Sequence, residues 1–183
     1  WRLLHRFDPE LVLAAEDVGD RAFLVAVAPG HESLFHALEY RVAKEYGLRS
    51  LAARSQISSM LRSKFKQKKI SEQVTTQILE EFKKAGYLND EEWVNDFVTA
   101  QIKRHIGPKN IVAKLRMKGL SQSEAERAVQ SLTSQDSRLQ IKQLLSTKYK
   151  SRDLSDFKEK QKVVAALMRK GFDLEQIRDV LDL

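Results

Sequence analysis

The sequence predicts a mainly α fold: three tandem three-helix repeats in an elongated, curved array, with a short N-terminal β-hairpin-like segment. Three observations predict it. IVAKLRMKGLSQSEAERAV, from Ile111, recurs as VVAALMRKGFDLEQIRDVL, from Val163, at an offset of 52 residues. Both read apolar-apolar-Ala-x-Leu-x-x-Lys-Gly-apolar, followed by a capping residue, Ser121 or Asp173. A weaker copy, Leu61, Phe65, Lys68, Lys69, Ile70 and Ser71, lies 50 residues earlier, with Lys69 where the later copies have glycine. Finally, apolar residues follow helical spacing from about Ser33 onward, whereas the first 30 residues hold two strand-like runs. Three-helix units repeating near 50 residues stack on their neighbours into curved bodies. The expected units are 1–32, the hairpin-like segment, then repeats at 33–86, 87–135 and 136–183.

Along the chain, Leu11 to Ala15 and Ala22 to Ala28 are the strand-like runs, joined by Glu16-Asp17-Val18-Gly19-Asp20. A Gly-containing turn between apolar runs signals a hairpin. An isolated hairpin is marginal in water and must pack on something. Pro29-Gly30 then breaks the chain.

Leu34, Leu38 and Val42 define one face of the first helix, with Tyr40 beside them. Gly47 is expected to interrupt it before Leu48, Leu51 and Ala52. Ser58 to Lys68 forms the second helix. Ser71 to Lys84 forms the third, with Val74, Ile78, Leu79 and Phe82 apolar. Lys83 and Lys84 sit in its last turn, where the helix dipole favours cations, and Gly86 ends it.

In the second repeat Asp90 is placed to cap a helix that carries Trp93, Val94, Phe97, Val98, Gln101 and Ile102 at helical spacing. Gly107 stops that helix, and Pro108 suits a first helical position. Ile111, Val112 and Leu115 face inward on the next helix. Ser121 with Glu124 is a capping box for the one after. The third repeat begins near Ser137, with Leu139, Leu144 and Leu145 on its first helix. Thr147 to Phe157 is a polar link with a helix start near Ser155. Ile177, Val180 and Leu181 face inward at the end. The register makes Phe65, Leu115 and Leu167 equivalent core positions.

The 183 residues contain no cysteine, which excludes disulfides, zinc–thiolate sites and thiol catalysis. The longest apolar run, Ala22 to Ala28, is too short to span a bilayer. No secretory signal is visible, and Trp1 is not a start methionine. A soluble, cytoplasmic protein without membrane contact is the expectation. His5, His31, His36 and His105 show no metal-ligand spacing. Asp90, Glu91 and Glu92 are accounted for by a helix start, and neither a phosphate-binding loop nor a GxSxG nucleophile motif is present. The residues therefore give no case for an enzyme, a metal or a cofactor.

The basic residues are the stronger lead. Net charge is −3 over residues 1–48, +8 over 49–120 and +2 over 121–183. Arg62, Lys64, Lys66, Lys68 and Lys69 crowd the second helix of the first repeat. Lys109, Lys114, Arg116 and Lys118 occupy the same helix of the second, and Lys103 and Arg104 precede it. Some of these are solvated helix-end cations. Recurrence in two successive repeats nonetheless points to a stripe suited to a nucleic acid backbone or a nucleoprotein groove. Lys64 with Lys68, and Lys114 with Lys118, are the i, i+4 pairs best placed to share a face. Trp93 and Phe97 occupy core-like positions, and no base-reading motif is evident.

These motifs resemble the RecX family, bacterial regulators of the RecA recombinase. GYLND with Trp93 resembles its Gly-Tyr-Leu-Asp-Asp-x-x-Phe. IGPKNI resembles its Gly-Pro-x-x-Ile helix start, and LRMKGLS its Leu-x-x-Lys-Gly-Ile block. LRSLAAR, Leu48 to Arg54, resembles its Leu-x-x-Leu-Ala-x-Arg run. KYKSRD and KQKVVAALMRKGFDLEQI follow in family order, so the resemblance covers roughly residues 38–183. Asn89, Trp93, Ile57 and Gln101 depart from the pattern; Ile57 stands near a family Ser, and Gln101 where the family often has Arg. The resemblance implies a non-enzymatic, monomeric modulator. Such a protein lies in the groove of the RecA–single-stranded DNA filament and hinders its growth, strand exchange, ATP hydrolysis and coprotease function. A general helical DNA-binding protein is the alternative, and a repeat adaptor for another acidic protein is a third.

Overall fold

The structure, a computed structural model, describes residues 15–17, 22–24, 32–133 and 136–182. Nine helices occur among them: α1 Glu32–Ala53, α2 Ser58–Gln67, α3 Glu72–Lys84, α4 Asp90–Lys103, α5 Pro108–Met117, α6 Gln122–Thr133, α7 Asp136–Ser146, α8 Phe157–Arg169 and α9 Leu174–Leu181. Two short strands precede them, β1 Ala15–Asp17 and β2 Ala22–Leu24. They pair antiparallel, with Ala15 opposite Leu24 and Asp17 opposite Ala22. Glu16 and Asp17, expected in the connection, are strand residues, because ladder pairing is made by the backbone. The expected turn at Val18–Asp20 lies outside the described residues, as do Leu11 to Ala14 of the first run, Val25 to Ala28 of the second and Pro29-Gly30.

The chain divides into two compact units, Trp1–Asp90 and Glu91–Leu183. In the first, Leu61, Phe65, Val74, Ile78, Leu79, Phe82 and Leu88 pack with Ala43 of α1. Gly47 does not interrupt α1, which runs through it unbroken. A Cβ there would lie 2.8 Å from Phe82 Cε2 and 3.1 Å from Phe65 Cζ. Gly47 is thus glycine because two phenylalanines close on it, not because the helix breaks. Val42, expected on the inner face, is 49% exposed; its neighbour Ala43 is buried instead. Ala43 and Gly47, four apart, form a shallow strip on α1 that the large rings of α2 and α3 can approach.

In the second unit α4 buries Val94, Val98 and Gln101, and α5 buries Ile111 and Leu115. The expected capping box opens α6: the Ser121 N–H donates to Glu124 Oε2 at 2.9 Å, and the Glu124 N–H to Ser121 Oγ at 3.3 Å. On α7 the buried apolar residues are Ile141 and Leu144, whereas Leu139, expected inward, is 57% exposed. Gln140 and Ile141 take the inner side, which rotates Leu139 out. Asp156, one residue past the expected start, caps α8. Val163, Leu167, Phe172, Ile177 and Leu181 complete this core.

Phe65, Leu115 and Leu167 are each fully buried, as the repeat register requires. The turns that follow them match in hydrogen bonding. The Ile70, Leu120 and Phe172 N–H groups donate to the Phe65, Leu115 and Leu167 carbonyls, at 3.0, 3.3 and 3.3 Å. The residue between is left-handed each time: Lys69 at φ 56°, Gly119 at 96° and Gly171 at 92°. This is a Schellman ending, which glycine adopts without Cβ strain. In the second unit the α8 turn also meets α5. The Gly107 N–H donates to the Lys170 carbonyl at 2.8 Å, and the Lys109 N–H to the Gly171 carbonyl at 3.1 Å. Orphan donors of one helix start are thereby satisfied by carbonyls at another helix end. A Cβ on Gly107 would lie 2.3 Å from the Gly171 carbonyl carbon.

Two stability outcomes follow. Leu115→Ala should cost about 2–5 kcal/mol in chemical denaturation, as for a fully buried leucine. Lys69→Gly should instead stabilise, by up to about 1 kcal/mol, because it relieves a left-handed residue that bears a Cβ. A lower melting temperature for Lys69→Gly would show that this turn is not strained.

Candidate functional site

The basic residues divide by the face they occupy. On α2, Arg62 forms an ion pair with Glu72. Lys64 Nζ donates to Ser50 Oγ at 2.6 Å. Lys68 Nζ lies 5.4 Å from the centre of the Tyr46 ring. On α5 the pattern repeats. Lys114 Nζ donates to Gln101 Oε1 at 2.7 Å. Lys118 Nζ lies 5.5 Å from the Trp93 ring and 5.4 Å from that of Phe97. Lys109 pairs with Asp173 at 2.6 Å.

The i, i+4 pairs therefore share a face, as their spacing requires. In both units that face leans on the preceding helix: the first lysine meets a polar side chain and the second an aromatic ring. Lys66 and Arg116, two residues beyond the first lysine and so about 200° around the helix, are exposed. Lys69, Lys103 and Arg104 are exposed as well.

Trp93 and Phe97 are half-buried rather than core residues. They stack on each other with centroids 5.1 Å apart and planes 9° from parallel, beside Lys118. Val94 and Val98 take the core side of α4, which turns the rings toward its edge. The sequence signal for this cluster is the i, i+4 spacing of the two aromatics; the lysine comes from the end of α5 and carries no local signal.

Asp90, expected to cap its own helix, serves α2 instead. Its carboxylate accepts from the Ser58 N–H at 2.7 Å and Ser58 Oγ at 3.0 Å, with Lys83 Nζ 3.1 Å away. Ile57 explains this: it holds the N-cap position of α2 and has no side-chain oxygen to offer. Burial pushes the Asp90 carboxyl up, but the Ser58 and Lys83 contacts outweigh it and hold the group below its ordinary range.

Among the described residues no group of three or more His, Asp or Glu is placed to hold a metal ion, and no helix is long and apolar enough to cross a membrane.

Comparison with known proteins places this architecture. A model of the third three-helix domain of RecX matches residues 140–181. Regulatory protein RecX of Caldanaerobacter subterraneus subsp. tengcongensis is 24% identical over 169 residues, covering 88% of this chain and 83% of that protein. Regulatory protein RecX of Streptococcus agalactiae serotype V is 27% identical over 148 residues, covering 80% of this chain; the alignment spans only 56% of the streptococcal protein. The crystal structure of RecX from Lactobacillus salivarius superposes with a TM-score of 0.68 at 19% identity, over 80% of this chain and 96% of that one. The chain is similar to RecX regulatory proteins along most of its length. Its RecX relatives carry the name of regulatory proteins, and the helical fold agrees with theirs. The match at 140–181 falls on α7–α9, the copy that the repeat period identifies as third.

Asp90 gives this region a pH signature. Its folded-state pKa is lowered, so its stabilisation is complete above the unfolded value, near about 4, and is lost as pH falls through the folded value. Asp90→Ala should remove the cap of α2 at a cost of about 0.5–2 kcal/mol at pH 7. The difference from the parent chain should shrink below about pH 4. Urea melts of both proteins from pH 7 to pH 3 check this; a constant difference would mean that the carboxylate charge is not what matters.

Proposed function

We propose that this chain regulates homologous recombination and DNA repair by binding the RecA–single-stranded DNA filament in its groove and inhibiting or destabilising it. In this reading it acts without catalysis, as a cytoplasmic monomer, through repeats at 33–86, 87–135 and 136–183. Similarity to RecX regulatory proteins carries the reading, together with cations at matching positions of α2 and α5. Residues 49–120 hold a net +8, and Lys66 and Arg116, 50 residues apart, are exposed on equivalent helices. A filament groove presents DNA phosphate and acidic protein, both of which attract such cations. Lys103, Arg104 and Lys69 add exposed charge. Lys64, Lys68, Lys114 and Lys118 contribute positive potential while also bracing their own repeats.

One observation favours a second reading, a general binder of single-stranded DNA. Trp93 and Phe97 form a partly exposed stacked pair beside Lys118, and aromatic platforms with nearby cations support base stacking.

Binding to naked single-stranded DNA, to RecA alone and to the assembled filament, each at several salt concentrations, separates the two. Preference for the filament that survives moderate salt supports the first reading. Equal binding to naked DNA with a steep salt slope supports the second. Lys66→Glu with Arg116→Glu should weaken filament binding and reduce the salt slope by about one for each phosphate no longer neutralised. Helicity and melting should be unchanged, because exposed charges contribute little to stability. Glu at Lys158 and Lys162, on α8 rather than α2 or α5, is the control and should have a small effect. Unchanged binding by the Lys66/Arg116 variant would rule out these two cations as contacts.

A further inference from the structure

In the second unit, the second and third helices of each repeat enclose a groove. The one between α5 and α6 measures about 690 Å³, and the one between α8 and α9 about 790 Å³. They are one surface displaced by 52 residues. Val112 and Arg116 of α5 correspond to Val164 and Met168 of α8; Glu126 of α6 corresponds to Arg178 of α9.

The two grooves differ in what closes them. The α5–α6 groove is also lined by Ser137, from the first turn of α7, and by Gln176, from the first turn of α9. Asp173, the N-cap of α9, pairs with Lys109 on its lip. Two helix N-terminal turns thus wall its end, one of them introduced by an acidic cap. The α8–α9 groove has no comparable end wall among the described residues, since all of its lining comes from α8 and α9.

The chemistry of the lining also changes. Where the first groove has Arg116, Gln122 and Glu126, the second has Met168, Leu174 and Arg178. Phe157 at its end is 68% exposed and Met168 is 48% exposed. Its charged lining residues, Lys160 and Arg178, are both cations. An apolar floor with a basic rim does not match a phosphate backbone, which has no apolar group to seat. It matches a helix start, where acidic residues concentrate beside the first apolar turn.

We infer that the α8–α9 groove is a docking site for the acidic N-terminal turn of an α-helix on the partner protein. An apolar residue of that turn sits on Phe157 and Met168, and its carboxylates face Lys160 and Arg178. The inference rests on the filament reading and deepens it: the third repeat grips a recombinase subunit rather than DNA.

The test uses the full chain and RecA filaments assembled on single-stranded DNA. Met168→Glu and Phe157→Ser should each weaken binding by about tenfold or more, with the Phe157→Ser loss the same at low and high salt, whereas Met168→Leu should bind like the parent. Circular dichroism confirms that each variant is folded. A photo-cross-linking residue in place of Phe157 should attach to an acidic helix start on RecA. Parent-like binding by both Met168→Glu and Phe157→Ser, or cross-links to DNA or to a second copy of this chain, would overturn the inference. If these variants bind normally while Lys66→Glu with Arg116→Glu does not, only the groove assignment falls. If the parent chain itself does not bind filaments, the filament reading falls and takes this partner with it.

Discussion

The repeats depend on one turn, the hydrogen bond that closes six residues at the end of a helix. It occurs at Phe65–Ile70, Phe82–Tyr87, Gln101–Ile106, Leu115–Leu120 and Leu167–Phe172. In these five the residue before the donor is left-handed, Lys69, Gly86, His105, Gly119 or Gly171, whereas the same bond at Leu144–Tyr149 has no left-handed residue before its donor. The turn satisfies carbonyls that the helix leaves open, and it sends the chain back at once. It also places an apolar residue just past the helix, so that Ile70 and Phe172 return to the cores they follow. Helices of ten residues or so have little stability alone. Reversing the chain within two residues lets their apolar faces close on each other.

The same turn does a second task in the Glu91–Leu183 unit. The carbonyls of Lys170 and Gly171 meet the first N–H groups of α5, and the Asn110 side-chain amide donates to the Arg169 carbonyl at 2.8 Å. A helix end with its partial negative charge thus abuts a helix start with its partial positive charge. Gly107 and Gly171 are both needed because backbone meets backbone there, with no room for a Cβ. In the Trp1–Asp90 unit the start of α2 is satisfied differently, by the Asp90 carboxylate. The two solutions answer one requirement: neither Ile57 nor Gly107 has a side chain that can cap the helix it introduces.

For function, this packing sorts the cations into two roles. Lys64, Lys68, Lys114 and Lys118 lean toward the preceding helix, on a polar group or an aromatic ring. Lys66 and Arg116 face solvent from the same two helices. The third repeat keeps the helix plan but replaces Arg116 by Met168 at the matching position. The proposed partner, part nucleic acid and part protein, would meet exposed cations on α2 and on α5 and the apolar groove between α8 and α9.

The sequence by itself determined the helices, their order and their period. Those signals are local: apolar spacing within a few turns, a capping box three residues long, a Lys-Gly turn repeated after 52 residues. It also carries the resemblance to the RecX family, because the spaced motifs follow a fixed order along the chain. It did not determine what lies opposite each side chain. Gly47 reads as a helix breaker until Phe65 and Phe82 are seen to close on it. Asp90 reads as the cap of its own helix until Ser58, 32 residues earlier, is found at its carboxylate. Trp93 and Phe97 read as core until Val94 and Val98 are seen to take that side. The lysine pairs were legible as pairs, but not the side to which they turn. Only the tertiary structure decided these points. Each depends on groups brought together across many residues by packing, and neither composition nor periodicity encodes that proximity.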